Sequence, residues 1–170
     1  MYQRILIPVD GSPTSIGGLD EAIRIAKMTH GRLRLLHVVD ELSFALAMGS
    51  ESAYGDEALK SMRVEAQRVL DTALALAQSA GVEADTRLSE TFPGTLSEGV
   101  AAEAREWGAD LIVLGTHGRR GAKRLVLGSG AERILRVAPV PVLLVRTADH
   151  KCASGDMLRA TASALSMAAE

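Results

Sequence analysis

The residues with the strongest claim to chemistry lie between Leu111 and Ser129, in LIVLGTHGRRGAKRLVLGS. An apolar run, Leu111-Ile112-Val113-Leu114, stops at Gly115. Gly118 and then Gly128-Ser129 follow, which gives the spacing Gly-x2-Gly-x9-Gly-Ser. Arg119, Arg120, Lys123 and Arg124 lie within that interval. A strand entering a glycine-punctuated loop that leads into a helix suits a bound phosphate. Glycines let backbone N–H groups approach an anion with no side chain between. The helix start adds unpaired N–H groups and the positive end of its dipole. A plainer reading uses the same residues: Gly115 and Gly118 turn the chain, and Ser129 to Glu132 forms a capping box with Ser129 as N-cap. The spacing matches neither the P-loop nor the Gly-x-Gly-x-x-Gly dinucleotide pattern.

Asp10 is the second candidate. It ends the apolar run Ile5-Leu6-Ile7-Pro8-Val9 and opens the turn cluster Asp10-Gly11-Ser12-Pro13. As an isolated acid it serves equally well as a turn former or helix cap. Its place in the chain favours a site, because ligands of open parallel sheets bind beyond the carboxyl ends of strands where strand order reverses. Strands one and four are the usual neighbours there, so Asp10 and the glycine loop would face one crevice. Arg119, beside Gly118, is the cation chosen for direct phosphate contact; Arg120, Lys123 and Arg124 are assigned to solvent. Val38 and Val39 read as strand core whose backbone could also pair with an adenine edge. His37 lies in an apolar strand and is read as structural. His117 has no Ser or Cys spaced for nucleophilic work. No His, Cys and Asp spacing suits structural zinc, and no residue is assigned a catalytic role.

The elements that would hold these residues alternate strictly. Strands are expected at Ile5–Val9, Arg32–Val39, Val82–Ser89, Leu111–Leu114 and Val142–Val145. Helices are expected from Ser12 or Ser15 to about Thr29 and along the face Leu59, Met62, Ala66, Val69, Leu70, Ala73 and Ala77. Two more follow Thr95, whose pair with Glu98 reads as a capping box, and span about Gly130–Val137. His30-Gly31 gives a left-handed stop signal for the first helix. Asp40 to Gly55 has no clear period and reads as a lid, binding loop or disordered segment. Such alternation implies an α/β domain, a doubly wound open sheet of five parallel strands with helices on both faces. The domain is expected over residues 1–147, and 148–170 as a tail that forms a short helix or stays mobile.

Composition narrows the function. The chain has 170 residues, a net charge of -2 and 3% aromatic residues. That balance gives neither the basic field nor the stacking rings that nucleic-acid binding uses. No apolar run approaches the ~20 residues of a membrane span. The single Cys152 permits no intrachain disulfide, which suits a reducing, cytoplasmic setting.

From about Arg4 to Arg146 the chain resembles the universal stress protein family, in its ATP-binding branch. The resemblance rests on Ile5-Leu6-Ile7-Pro8-Val9-Asp10-Gly11-Ser12, Leu36-His37-Val38-Val39, the segment Ala109 to Gly118, the glycine spacing through Ser129, and Pro139 to Val145. It implies strand order 3-2-1-4-5 with ATP at the strand tips. Pro8, Val9 and Asp10 would then belong to the nucleotide site, Pro8 lining the base pocket and Asp10 touching the nucleotide. Val38 would bond adenine through its backbone. Gly115, Gly118, Arg119, Gly128 and Ser129 would hold ribose and phosphates, with Mg2+ bridging the phosphates. One departure is Gly130, where Val commonly follows the Ser. The family also implies a homodimer through the edge strand Val142–Val145, an edge that the chain's own tail is equally placed to cover. An ATP-binding regulator of stress response is the expectation, with a slow ATPase or autokinase, or an interaction protein for another ligand such as a cyclic nucleotide, as alternatives. The physiological protein partner is not identified.

Overall fold

The computed structural model describes residues 1–39, 55–90, 95–116 and 128–146. Within them, five strands, β1 (Arg4–Pro8), β2 (Arg32–Val39), β3 (Ala84–Glu90), β4 (Leu111–Gly115) and β5 (Val142–Val145), alternate with four helices. The helices are α1 (Pro13–Thr29), α2 (Gly55–Ser79), α3 (Leu96–Trp107) and α4 (Ser129–Val137). All strand pairs are parallel, in the order β3-β2-β1-β4-β5. The doubly wound sheet and its strand order are therefore as expected. The interval 40–54, the loop 117–127 and the tail from 147 onward lie outside the described residues, so the readings placed on them have no structural counterpart here.

Strand pleating sends alternate side chains to opposite faces, and each face has its own core. Ile5 and Ile7 of β1 and the following Val9, with Leu33, Leu35, Leu111 and Val113, pack against Leu19, Ala22, Ile23 and Ala26 of α1 and Leu70, Ala73 and Ala77 of α2. On the other face, Leu6, Leu36, Ile112 and Leu114 meet Val100, Ala104 and Trp107 of α3 and Ala131 and Ile134 of α4. At ~25 cal/mol per Å2 of apolar surface removed from water, this two-sided burial is the main force holding the sheet.

Several boundaries shift by a residue or two from the expected ones, β1 running Arg4–Pro8 rather than Ile5–Val9, and three of the differences have identifiable reasons. Strand three begins at Ala84 rather than Val82, because the Val82 N–H donates to the Ala77 carbonyl at 3.1 Å and still belongs to the end of α2. At the end of α1 it is His30, not Gly31, that takes the left-handed conformation, with φ of 53°. Gly31 is needed instead for clearance: a β-carbon there would lie 2.7 Å from the Tyr2 carbonyl oxygen. The third difference is the start of α4. Its N-cap is Gly128, and Ser129 is the first helical residue. Glu132 thus falls one position too late for a capping box, and its carboxylate accepts from Arg136 Nη2 at 2.8 Å instead.

The amino end of the sheet is closed by the chain itself. Asp110 accepts from the N–H groups of Gln3 (2.7 Å) and Arg4 (3.1 Å). Arg34 of β2 holds Asp85 of β3 through two 2.7 Å bonds and Glu103 of α3 through one of 2.9 Å. Its guanidinium lies 4.7 Å from the centre of the Trp107 ring. The bonds to Asp85 raise the Arg34 pKa further, against the opposing effect of burial.

Candidate functional site

The expected site residues that are described gather at the carboxyl ends of β1, β2 and β4 and at the starts of α1 and α4. β1 pairs with β2 from Arg4 to Pro8, but its pairing with β4 covers only Ile5 and Leu6. The ladder between β1 and β4 thus stops before β1 does. This is the topological switch point, since the chain leaves β1 toward β2 and reaches β4 only after β3. A crevice at that place is where open α/β sheets take ligands.

Each residue has a definite place around this point. Pro8 is the half-buried last residue of β1, and Val9 is buried with its N–H donating to the Leu36 carbonyl at 2.8 Å. In β2 the backbone groups alternate in direction. Arg32 N–H and Leu36 C=O bond toward β1, whereas Leu33 N–H bonds toward the β3 side. Continuing that alternation turns the amide and carbonyl of Val38 toward β1, one step past the Leu36–Val9 bond. Val38 therefore presents its backbone edge above the tip of β1.

Asp10 is exposed, and its Oδ1 accepts from the Ser12 N–H at 2.9 Å. Gly11 takes a φ of +73° in this turn, which a glycine adopts without the penalty of a side chain. Ser12 then caps α1, its Oγ accepting from the Ser15 N–H at 3.2 Å. Ser15 is buried; its Oγ donates to the Ser12 carbonyl at 3.0 Å and accepts from the Asp10 N–H at 3.4 Å. The carboxylate of Asp10 thus sits on a turn stitched from below by serine hydroxyls.

On the β4 side, the Thr116 N–H donates to the Val145 carbonyl at 3.0 Å, and the Gly128 N–H donates to the Thr116 carbonyl at 3.2 Å. These bonds bring the end of the glycine loop back to its start and commit both amides to the chain. The first bond within α4 runs from the Glu132 N–H to the Gly128 carbonyl at 2.9 Å. The N–H groups of Ser129, Gly130 and Ala131 have no acceptor within the helix, and Gly128 provides no side-chain cap. An anion at the glycine loop would meet these first-turn amides and the exposed Ser129. Gly130 leaves open room: a β-carbon there would lie at ordinary contact distance, 3.4 Å, from Leu96 Cδ2.

Gly115 serves the chain in another way. A β-carbon on it would run into the Thr14 carbonyl oxygen and lie 2.6 Å from the Thr14 carbonyl carbon. The first turn of α1 rests directly on the backbone of the β4 tip. Sequence reasoning took Ser15 only as a candidate cap and passed over Gly18, one turn further along α1. The available signal was a glycine inside a helical pattern, which commonly has a packing reason. Gly118 and Arg119 fall in the loop outside the described residues.

The sequence model of the Universal stress protein family matches residues 1–146. The chain belongs to the universal stress protein family. Universal stress protein MJ0531 of Methanocaldococcus jannaschii is 34% identical over 146 residues, 86% of this chain and 83% of that protein. Universal stress protein YxiE of Bacillus subtilis is 30% identical over 86% of this chain and 100% of that protein. Among solved structures, a universal stress protein family member from Burkholderia pseudomallei superposes with a TM-score of 0.70 at 36% identity, over 85% of this chain and 96% of that one. Membership in the family and the order of the sheet are thus established together. No helix among the described residues is long and apolar enough to cross a membrane.

Proposed function

We propose that this universal stress protein binds ATP at the β1–β4 switch point and acts as a nucleotide-dependent, homodimeric regulator in a cytoplasmic stress response, with hydrolysis weak or absent. The observation that supports the reading is that three unlike features lie at the same, carboxyl end of the sheet around the β1–β4 switch point. They are the exposed Asp10 carboxylate, the backbone edge of Val38 beyond the tip of β1, and an α4 start with no side-chain cap. Turn chemistry alone requires none of them to lie there. In this reading Val38 recognises the adenine edge, and Pro8 and Val9 wall the base. Asp10 meets the nucleotide from the α1 side. The α4 first turn with Gly128 and Ser129 receives phosphate, assisted by Gly118 and Arg119, while Gly115 keeps the strand tip low.

The residues fit a magnesium ion only as a passenger of the phosphates. Among the described residues no group of three or more His, Cys, Asp or Glu gathers to hold a metal, and Mg2+ is commonly held by one carboxylate plus substrate phosphates. Bound there, the ion would neutralise phosphate charge. Asp10 is the carboxylate the sequence offers, and its motifs supply no second acid or lysine at a defined spacing to serve as a base near the terminal phosphate, which is why binding is preferred to phosphoryl transfer. The homodimer reading rests on β5, the edge of the sheet, whose four residues are all half-buried and apolar. An apolar edge invites a second strand, and Pro139 and Pro141 limit how far that ladder extends.

Native mass spectrometry of the purified protein tests ligand and assembly together. The expected species is a dimer carrying one adenine nucleotide per chain. A monomer, or a dimer that stays empty after incubation with millimolar ATP and Mg2+, contradicts the respective half of the reading. A dimer that retains cAMP in preference to ATP would move the assignment to the cyclic nucleotide. Phosphate release under excess ATP, compared with Asp10→Ala, separates regulator from enzyme: turnover that depends on Asp10 would establish the ATPase.

A further inference from the structure

The start of α1 and the tip of β4 touch backbone to backbone. A β-carbon on Gly18 would lie 3.2 Å from the Gly115 nitrogen, 3.6 Å from the Leu114 carbonyl carbon and 3.8 Å from the Gly115 Cα. A β-carbon on Gly115 would meet Thr14 and, at 3.2 Å, the Ser15 nitrogen. Gly18 therefore faces the Gly115 backbone and Gly115 faces the first turn of α1, and the three atoms nearest to each β-carbon position are main chain. No side chain can rotate away to make room. Gly18 is buried within a helical run, where glycine is weaker than alanine as a helix former. A packing demand at this point overrides that preference.

We propose that Gly18 is a positioning residue for the nucleotide site, setting the separation between the α1 turn that carries Asp10 and the β4 tip that enters the glycine loop. The proposal rests on the nucleotide reading given above and deepens it. Asp10 is tied to α1 through Ser12 and Ser15. The start of α4 is tied to the end of β4 through the Gly128–Thr116 bond. Between these two halves of the site, the Gly18–Gly115 contact fixes the spacing. A methyl group at residue 18 displaces the β4 tip from α1 by a few tenths of an ångström, and the phosphate side of the site moves away from Asp10. The adenine side, carried by Val38 and the tip of β1, stays where it is.

The test compares wild type, Gly18→Ala and, as a control for helix propensity on the same helix, Gly17→Ala. Calorimetry measures the affinity of each for ATP with Mg2+ and for adenosine, and urea unfolding measures stability. Gly18→Ala is expected to bind ATP about tenfold more weakly, since sub-ångström misplacement of binding groups weakens them without removing them. Its adenosine affinity and its unfolding midpoint are expected to stay within error of those of Gly17→Ala. ATP and adenosine affinities that fall together, or that do not change, overturn the positioning role and leave the nucleotide reading standing. A wild-type chain that binds neither ligand overturns both. Hydrogen exchange on the wild-type chain checks the coupling without any variant. Addition of ATP should slow exchange at residues 15–18 and 114–116 together; protection confined to one of these segments counts against the proposal.

Discussion

α3 and α4 lie side by side on the same face of the sheet, yet they begin in opposite ways. α3 follows the edge strand β3 and is closed by its own side chains. The Thr95 Oγ1 accepts from the Glu98 N–H at 3.4 Å, and the Glu98 carboxylate accepts from the Thr95 N–H at 2.8 Å. α4 follows the interior strand β4 and begins at a glycine that provides no side-chain cap. Reciprocal capping meets the orphan donors of a helix from within the chain. The second start has the same donors and, among the described residues, no side-chain cap. Capping at α3 is a stability device. Its absence at α4, beside the switch point, is what a helix start needs in order to receive an anion.

This contrast predicts that the two starts fail differently when altered. The largest effect should come from closing the platform beneath α4. Gly115→Val forces side-chain atoms into the Thr14 main chain, and a destabilisation of about 3 kcal/mol is expected from overpacking, read as a lowered urea midpoint. A variant as stable as wild type would mean that α1 does not press on β4. Next, Ser129→Ala should weaken ATP binding about tenfold, the value of one hydrogen bond to a charged group. Its stability should move by less than about 0.5 kcal/mol, as for an ordinary exposed site. Thr95→Ala should do the reverse, losing about 1 kcal/mol of stability while ATP affinity holds. If both substitutions act alike on affinity and stability, the distinction between the starts is lost. The smallest effect is expected for Gly130→Ala. The added methyl meets Leu96 at ordinary contact distance and should stabilise α4 by about 0.5 kcal/mol, visible as a small rise in thermal midpoint. A fall instead would show that the glycine is needed for clearance.

The same two helices show what a sequence discloses. The strands were legible because apolar runs such as Leu111–Leu114 are buried on both faces, leaving little ambiguity of period. The α3 capping box was legible because Thr95 and Glu98 have the required spacing and nothing competes for them. An identical pattern at Ser129 and Glu132 led to the wrong register. There the Gly128 amide is drawn back to Thr116, so the helix starts one residue earlier than the side chains suggest. That bond joins Gly128 to a residue twelve positions earlier in the chain and leaves no trace in local spacing. The role of Gly115 was hidden in the same way. Its glycine spacing suggested approach to a ligand, whereas the closest approach in the structure is to Thr14, about a hundred residues earlier. The start of α1 and the tip of β4 meet, Thr14 against Gly115, as neighbouring elements of the expected topology should. The Arg34, Asp85 and Glu103 cluster went unread, because charges on three separate elements show no pattern until the sheet brings them together.

Amide chemical shifts of the labelled protein, followed by NMR as ATP and Mg2+ are added, test the central contrast most directly. The expected result is a saturable change concentrated at Asp10, Val38, Thr116 and Gly128 to Ala131, with Thr95 to Glu98 unmoved. Shifts that leave the start of α4 untouched, or that never saturate at millimolar nucleotide, would contradict it.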